Sequence, residues 1–177
     1  MLLKIVIFLA VILVGVLVYA AILPSQMFVE REIQISASPD VIFPYINNSK
    51  KANDWMPWKD SDTQMTMTYS GPDDGVGSKS TWQSQGQMGT GEALVVESVH
   101  NQQVKTKLTY VKPFTMEQLA EISLTPVDSK ATRVKWNVRG EKSYMFRLIG
   151  IFLNCDKMIG AEFEKGLNNL KTKIEAK

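Results

Sequence analysis

A single cysteine, Cys155, and a single histidine, His100, stand in 177 residues. No disulfide can close within the chain. No His/Cys cluster can hold a metal in the usual ligand sets, so no metal site is expected. A Cys–His catalytic pair would need two residues 55 positions apart. Charge of one sign is missing too: 20 Lys plus Arg face 18 Asp plus Glu, a net +2, and the signs are interspersed. That excludes the clustered basic face of a nucleic-acid binder. The chain has no internal repeat and no low-complexity tract. Cofactor-binding fingerprints are also missing. The glycines from Gly71 to Gly77 are not followed directly by the Lys–Ser pair, since Ser78 intervenes before Lys79-Ser80, nor by the helix of a phosphate loop, and they read as a hairpin turn.

What the chain does have is one long hydrophobic run. From Ile5 to Leu23 there are nineteen uncharged residues, fourteen of them Val, Ile, Leu or Phe. At ~1.5 Å per residue this gives roughly 28 Å of helix, close to the ~30 Å hydrocarbon core of a bilayer. Insertion at about −0.3 to −0.6 kcal/mol per such residue is favourable by ~4–8 kcal/mol. Pro24 then stops the helix. Two readings stay open. The run is an uncleaved membrane anchor over residues 1–24, or a secretory signal with Lys4 as its n-region and Val18-Tyr19-Ala20 as its cleavage site. Lys4 before the run, with no cationic excess after it until Lys50 and Lys51, predicts a cytoplasmic N-terminus. The domain then faces the periplasm or exterior, with the inner membrane of a bacterium as the expected location.

Residues 25–177 are the right size for one domain. Val29, Arg31, Ile33 and Ile35 alternate with Glu30, Glu32 and Gln34, the period of a half-buried strand. Ser38-Pro39-Asp40 reads as a helix start with Ser38 as N-cap, and a second short turn follows around 53–56. The next hundred or so residues alternate in short stretches between turns, as an antiparallel meander does. The stretches near 92–99, 104–111, 115–125 and 131–140 are strands. From Ser143 the period turns helical, with Met145, Ile149, Phe152, Ile159, Phe163, Leu167, Leu170 and Ile174 on one stripe. Gly150, Asn154 and Gly160 are places where that stretch can bend or break. The predicted class is α+β: a curved antiparallel sheet of about seven strands on a long C-terminal helix, plus one N-terminal transmembrane helix.

This order, with particular residues, resembles the START-related helix-grip (SRPBCC) superfamily, in its polyketide cyclase/dehydrase-like branch. The residues that carry the likeness include Val29-Glu30-Arg31-Glu32-Ile33, Ser36-Ala37-Ser38-Pro39, Tyr69-Ser70-Gly71-Pro72 and Gly75-Val76-Gly77. Asp156-Lys157-Met158-Ile159-Gly160 and Phe163-Glu164-Lys165-Gly166-Leu167 continue it, and it spans about 28–174. Met56-Pro57-Trp58 stands where relatives often carry Ser-Pro-Trp, so no role for that serine transfers. The resemblance implies a helix-grip fold, which hosts lipid carriers and cyclases alike.

Candidate site residues are mostly aromatic. Trp55, Trp58, Tyr69, Trp82, Tyr110, Met116, Trp136, Phe152 and Met158 are expected to line a cleft for a lipid or other small apolar ligand between sheet and C-terminal helix. Met65, Met67 and Met145 suit the same irregular surface, and all of these residues equally suit ordinary core packing. Arg31 falls on the inward phase of its strand, as a head-group contact or a paired arginine, and Asp156 is either an acid in the cleft or solvent-exposed. His100 reads as a turn residue and Cys155 as a buried thiol. No catalytic constellation and no cofactor is expected. Three functions compete: a tethered binding protein, an envelope interaction module using an apolar patch at 144–155, and a cyclase- or dehydratase-type enzyme. The last needs a positioned acid or base, for which only Asp156, Arg31, Tyr69 and Tyr110 offer themselves.

Overall fold

The computed structural model describes residues 1–58, 62, 64–86, 88–113, 115–152 and 154–176; the side chain of Cys155 lies outside the described residues. Helix α1 (Leu2–Ile22) has 21 residues and is long and apolar enough to cross a bilayer. Its side chains are exposed, apart from a half-buried Val16 and a buried Ala20. Strand β1 (Gln26–Ile35) follows after Pro24, then α2 (Pro39–Asn47) and α3 (Ser49–Asn53). Six strands come next: β2 (Thr66–Ser70), β3 (Lys79–Gln83), β4 (Thr90–Val99), β5 (Gln103–Lys112), β6 (Met116–Asp128) and β7 (Ala131–Glu141). Two helices close the chain, α4 (Tyr144–Gly150) and α5 (Cys155–Glu175). The helical stripe expected from Ser143 onward is thus broken at Ile151, Phe152 and Asn154.

All seven strands form one antiparallel sheet in the order β1-β7-β6-β5-β4-β3-β2. Consecutive strands are neighbours, except that β1 returns to pair with β7. Alternation sets the faces as read from the sequence. Met27, Val29, Ile33 and Ile35 turn inward with Arg31, opposite Gly140, Val138, Val134, Thr132 and Trp136. A bulge between Val95 and Glu97 moves β4 out of phase and leaves Val96 exposed on the convex side. Such a bulge bends its strand and increases the local twist.

The turn at 71–77 has the hairpin role expected of it. Gly71, Gly75 and Gly77 all have positive φ, and a Cβ on Gly71 would run into the Gly77 carbonyl. Side chains with a Cβ rarely adopt that conformation. Helix α2 differs from expectation at its start: Ser38 occupies the cap position, but its hydroxyl caps nothing. Its carbonyl instead accepts from the N–H of Val41 at 3.1 Å, and Pro39 needs no partner there. His100 sits in the β4–β5 turn, edge-on to Phe43 at 5.1 Å.

Helix α5 packs along β1 and β7 through buried Phe163, Leu167, Leu170 and Ile174. Polar pins fix it at both ends. Arg31 donates from Nε to Glu164 Oε1 at 2.8 Å and from Nη2 to Asp156 Oδ2 at 3.2 Å. The guanidinium lies where a Cβ on Gly160 would be. Near the other end, Glu175 Oε1 accepts from the Ser36 N–H at 2.7 Å, which holds that carboxyl below its ordinary 4.5. A carboxylate whose folded pKa is depressed lends stability above its unfolded pKa and loses it as pH falls through the folded one. Thermal melts of the native chain and of Glu175→Gln should therefore converge as pH drops below 4.5. A gap that stays constant from neutral pH into that range would show that the carboxylate's charge carries none of the difference.

Candidate functional site

The expected lining residues separate into two groups on the concave face. The first centres on Trp136 of β7, which is 3% exposed. Phe163 of α5 stacks on it at 4.0 Å and 5°, Trp55 meets it edge-on at 5.5 Å, and Trp58 at 5.9 Å. Trp55 Nε1 donates to the Tyr45 carbonyl at 3.0 Å. A Cβ on Gly166 would stand 2.9 Å from the Trp136 ring and 3.0 Å from Pro57 Cδ, so helix and sheet approach as closely as glycine permits. These four rings pack this part of the helix–sheet interface shut.

The second group lies further along the sheet, where α5 no longer covers it. Register places Met67, Trp82, Gly91 and Tyr110 in one row across β2 to β5, with Met116 opposite Tyr110. Trp82 meets Tyr110 edge-on at 5.4 Å, and its Nε1 donates to the Met88 carbonyl at 3.1 Å. Gly91 is required between them, because a Cβ there would overlap the indole and stand 2.6 Å from the Thr109 carbonyl. Met67, Tyr69, Leu108, Tyr110 and Met116 are only half-buried, so this half of the concave face is an open apolar trough. Burial pushes the Tyr110 phenol up to about 12. Burial also raises the Tyr69 phenol, helped by the charge of Asp54 and opposed by Lys50.

A buried side-chain amide sits at one end of this trough. Gln118, 8% exposed, donates from Nε2 to the thioether sulfurs of Met116 at 3.5 Å and Met27 at 3.8 Å. Thioethers are weak acceptors. The amide is therefore available for a better partner at modest cost. The trough also has a defined place in the molecule. Gln118 pairs with Gly140, Gly140 with Met27, and the Lys142 N–H donates to the Ser25 carbonyl. Met116 and Tyr110 thus lie at the end of the sheet where the chain leaves α1.

Residues 27–175 match the model of the family described as polyketide cyclase/dehydrase and lipid transport. The chain belongs to this family. Solved structures agree on the fold. Norcoclaurine synthase of Thalictrum flavum, as a point mutant with a transition-state analogue, is similar with TM-score 0.63 at 14% identity, over 88% of this chain and 98% of that one. A protein of Mesorhizobium loti gives 0.62 at 13% identity, over 85% and 98%. The Aha1 dimer of Colwellia psychrerythraea gives 0.59 at 18% identity, over 84% and 96%. Identities this low speak for the fold alone. A search of curated proteins finds no significant match.

In this polyketide cyclase/dehydrase-family domain, seven of the nine expected lining residues stand on or over the concave face. Trp55, Trp58 and Trp136 belong to the packed quartet; Tyr69, Trp82, Tyr110 and Met116 belong to the open trough. Phe152 and Met158 come together with neither group, being 74% and 57% exposed. Phe152 lines a separate cleft of about 540 Å³ with Leu23, Phe146 and Arg147. A further groove, about 650 Å³, runs along the convex side among Val96, Lys107, Leu119 and Arg139 and reaches Met116 and Gln118 at the sheet end. Arg31 is paired with Asp156, as one reading of Arg31 allowed, and the Asp156 side chain is 60% exposed, as its solvent-exposed reading had it. Gln118 was legible as an inward-phase polar residue among apolar ones, but its site role comes only from the thioethers around it.

Proposed function

We propose that the chain is a membrane-tethered binding protein. It holds a lipid or another small apolar molecule in the open trough of Met67, Trp82, Tyr110, Met116 and Leu108, and Gln118 orients the ligand's polar end. The observation that carries this reading is the half-exposed apolar row with one buried, weakly satisfied amide. Each methylene transferred from water contributes ~0.8 kcal/mol, so a long chain binds without reactive groups. The family description, which includes lipid transport, supports the ligand class.

A role without catalysis is supported by the state of the acid–base candidates. Arg31 and Asp156 are engaged with each other, and the Tyr110 phenol is too weak an acid to give up its proton near neutral pH.

Retention of α1 as an anchor is supported by the contacts the domain makes with it. Arg147 Nη1 donates to the carbonyls of Ala21 at 2.9 Å and Leu23 at 3.0 Å. The Ala21 carbonyl belongs to the last turn of the helix, which has no partner within it. A cation at this end also favours the helix dipole. A cleaved signal would give the domain no reason to cap it. The charge bias around α1 supports an orientation with the domain outside the cytoplasm.

The test is native mass spectrometry of the full chain released from its own membrane in mild detergent. A co-purifying apolar mass that Trp82→Ala removes is the expected result. A ligand-free spectrum under conditions that retain lipid on a control protein would contradict the reading.

A further inference from the structure

The apolar stretch that follows the sheet has found only part of its surroundings. Phe146 of α4 packs against the core, and Tyr144 and Arg147 face α1. Met145, Ile149 and Phe152, each about a turn from the next, remain exposed. A soluble surface seldom leaves three such side chains together without an occupant.

Their position says what that occupant is. The Tyr144 hydroxyl donates to the Leu17 carbonyl at 2.9 Å. Leu17 lies five residues inside the end of α1, about 7.5 Å along the helix axis. An interfacial helix buries its apolar face to a depth of about 5–10 Å. Arg147, whose guanidinium also lies 5.8 Å from the Tyr144 ring centre, reaches the last turn of α1. Lys142 and Arg147 line the cleft beside Phe152, and the one carboxylate there, Asp156, is paired with Arg31, which it shares with Glu164. Cations beside an apolar stripe at this depth match a phospholipid surface.

From this we infer that α4 is a second membrane contact: a short foot that lies in the bilayer interface beside α1 and inserts Met145, Ile149 and Phe152 among the lipid chains. The inference rests on the reading of α1 as a membrane span. It deepens the proposed function, because two contacts fix the domain's orientation where a single stalk would let it swivel. The end of the sheet that bears Tyr110 and Met116 is then held toward the lipid surface, where an apolar ligand can exchange with the bilayer without crossing water.

The test uses the full chain in nanodiscs of neutral and anionic phospholipid, on a Cys155→Ser background. Single nitroxide labels are placed through Ile149→Cys and Phe152→Cys, with Met145→Cys as the independent reporter should either fail to fold. Val11→Cys in α1 and Val127→Cys at the far end of β6 are the references. The foot predicts that labels at 149 and 152 resemble the label at 11, accessible to oxygen and shielded from a water-soluble nickel chelate, with the ratio reversed at 127. Labels at 149 and 152 that resemble 127, while 11 stays in lipid, overturn the foot and leave the anchor standing. Labels at 149 and 152 shielded from both reagents overturn it in favour of a protein occupant. Chelate access at 11 overturns the anchor itself.

Discussion

Trp136→Ala is expected to destabilise the domain by about 3–5 kcal/mol, the range for truncating a fully buried large aromatic. Trp136 sits where three elements meet. Its ring is stacked by Phe163 of α5 and met edge-on by Trp55 and Trp58 from the segment after α3. Gly166 and Pro57 close in so tightly that neighbouring side chains have little room to refill the gap. The loss therefore combines transfer free energy, a residual cavity and three aromatic contacts worth ~0.5–1.5 kcal/mol each beyond burial. Urea unfolding of the full chain in nanodiscs, followed by far-ultraviolet circular dichroism, measures it. Val76→Ala is the control and should cost less than ~0.5 kcal/mol, because that side chain is 59% exposed. A Trp136→Ala loss under ~1 kcal/mol would show that the quartet is not the keystone of the helix–sheet contact.

The second large effect concerns the trough. Trp82→Ala is expected to weaken binding of a fluorescent long-chain fatty acid at least about tenfold, or ~1.4 kcal/mol. The indole is the largest apolar surface in the row and supports Tyr110 edge-on. Trp82 is itself buried, so a loss of fold must be separated from a loss of site. Gln118→Leu makes that separation. It replaces a buried amide bonded only to two thioethers, so stability should hold or rise. Affinity for the fatty acid should fall while affinity for a pure hydrocarbon of equal length does not. Titration of both ligands into both variants reads the difference. Equal losses for the two ligands would remove Gln118 from the site.

The sequence was most readable where one local period decided the outcome. The alternation of Val29, Ile33 and Ile35, and of Val134, Trp136 and Val138, gave faces that the register keeps. The stripe from Met145 to Ile174 was equally regular and proved ambiguous. Its later half is core, while Met145, Ile149 and Phe152 are exposed, because periodicity says that a face is apolar and not what covers it. The aromatic candidates divided for the same reason. Trp82 and Trp136 share the inward phase of their strands, yet only Trp136 lies under α5. Cover depends on where a helix crosses the sheet, and no spacing within one strand records that. Gln118 among thioethers and Arg147 at the end of α1 depend on pairs 91 and 126 residues apart. The Gly160 and Gly166 approaches are equally long-range, since the atoms that require glycine belong to Arg31, Pro57 and Trp136.

The most direct test of the account is to map a photoactivatable fatty acid onto the full chain in nanodiscs. After irradiation and proteolysis, mass spectrometry should find adducts on the peptides carrying Met67, Trp82, Tyr110 and Met116, competed by excess unlabelled fatty acid and lost in Trp82→Ala. Competable adducts confined to the convex groove around Leu119 and Arg139, or none above the level on an unrelated anchored protein, would contradict a ligand trough on the concave face.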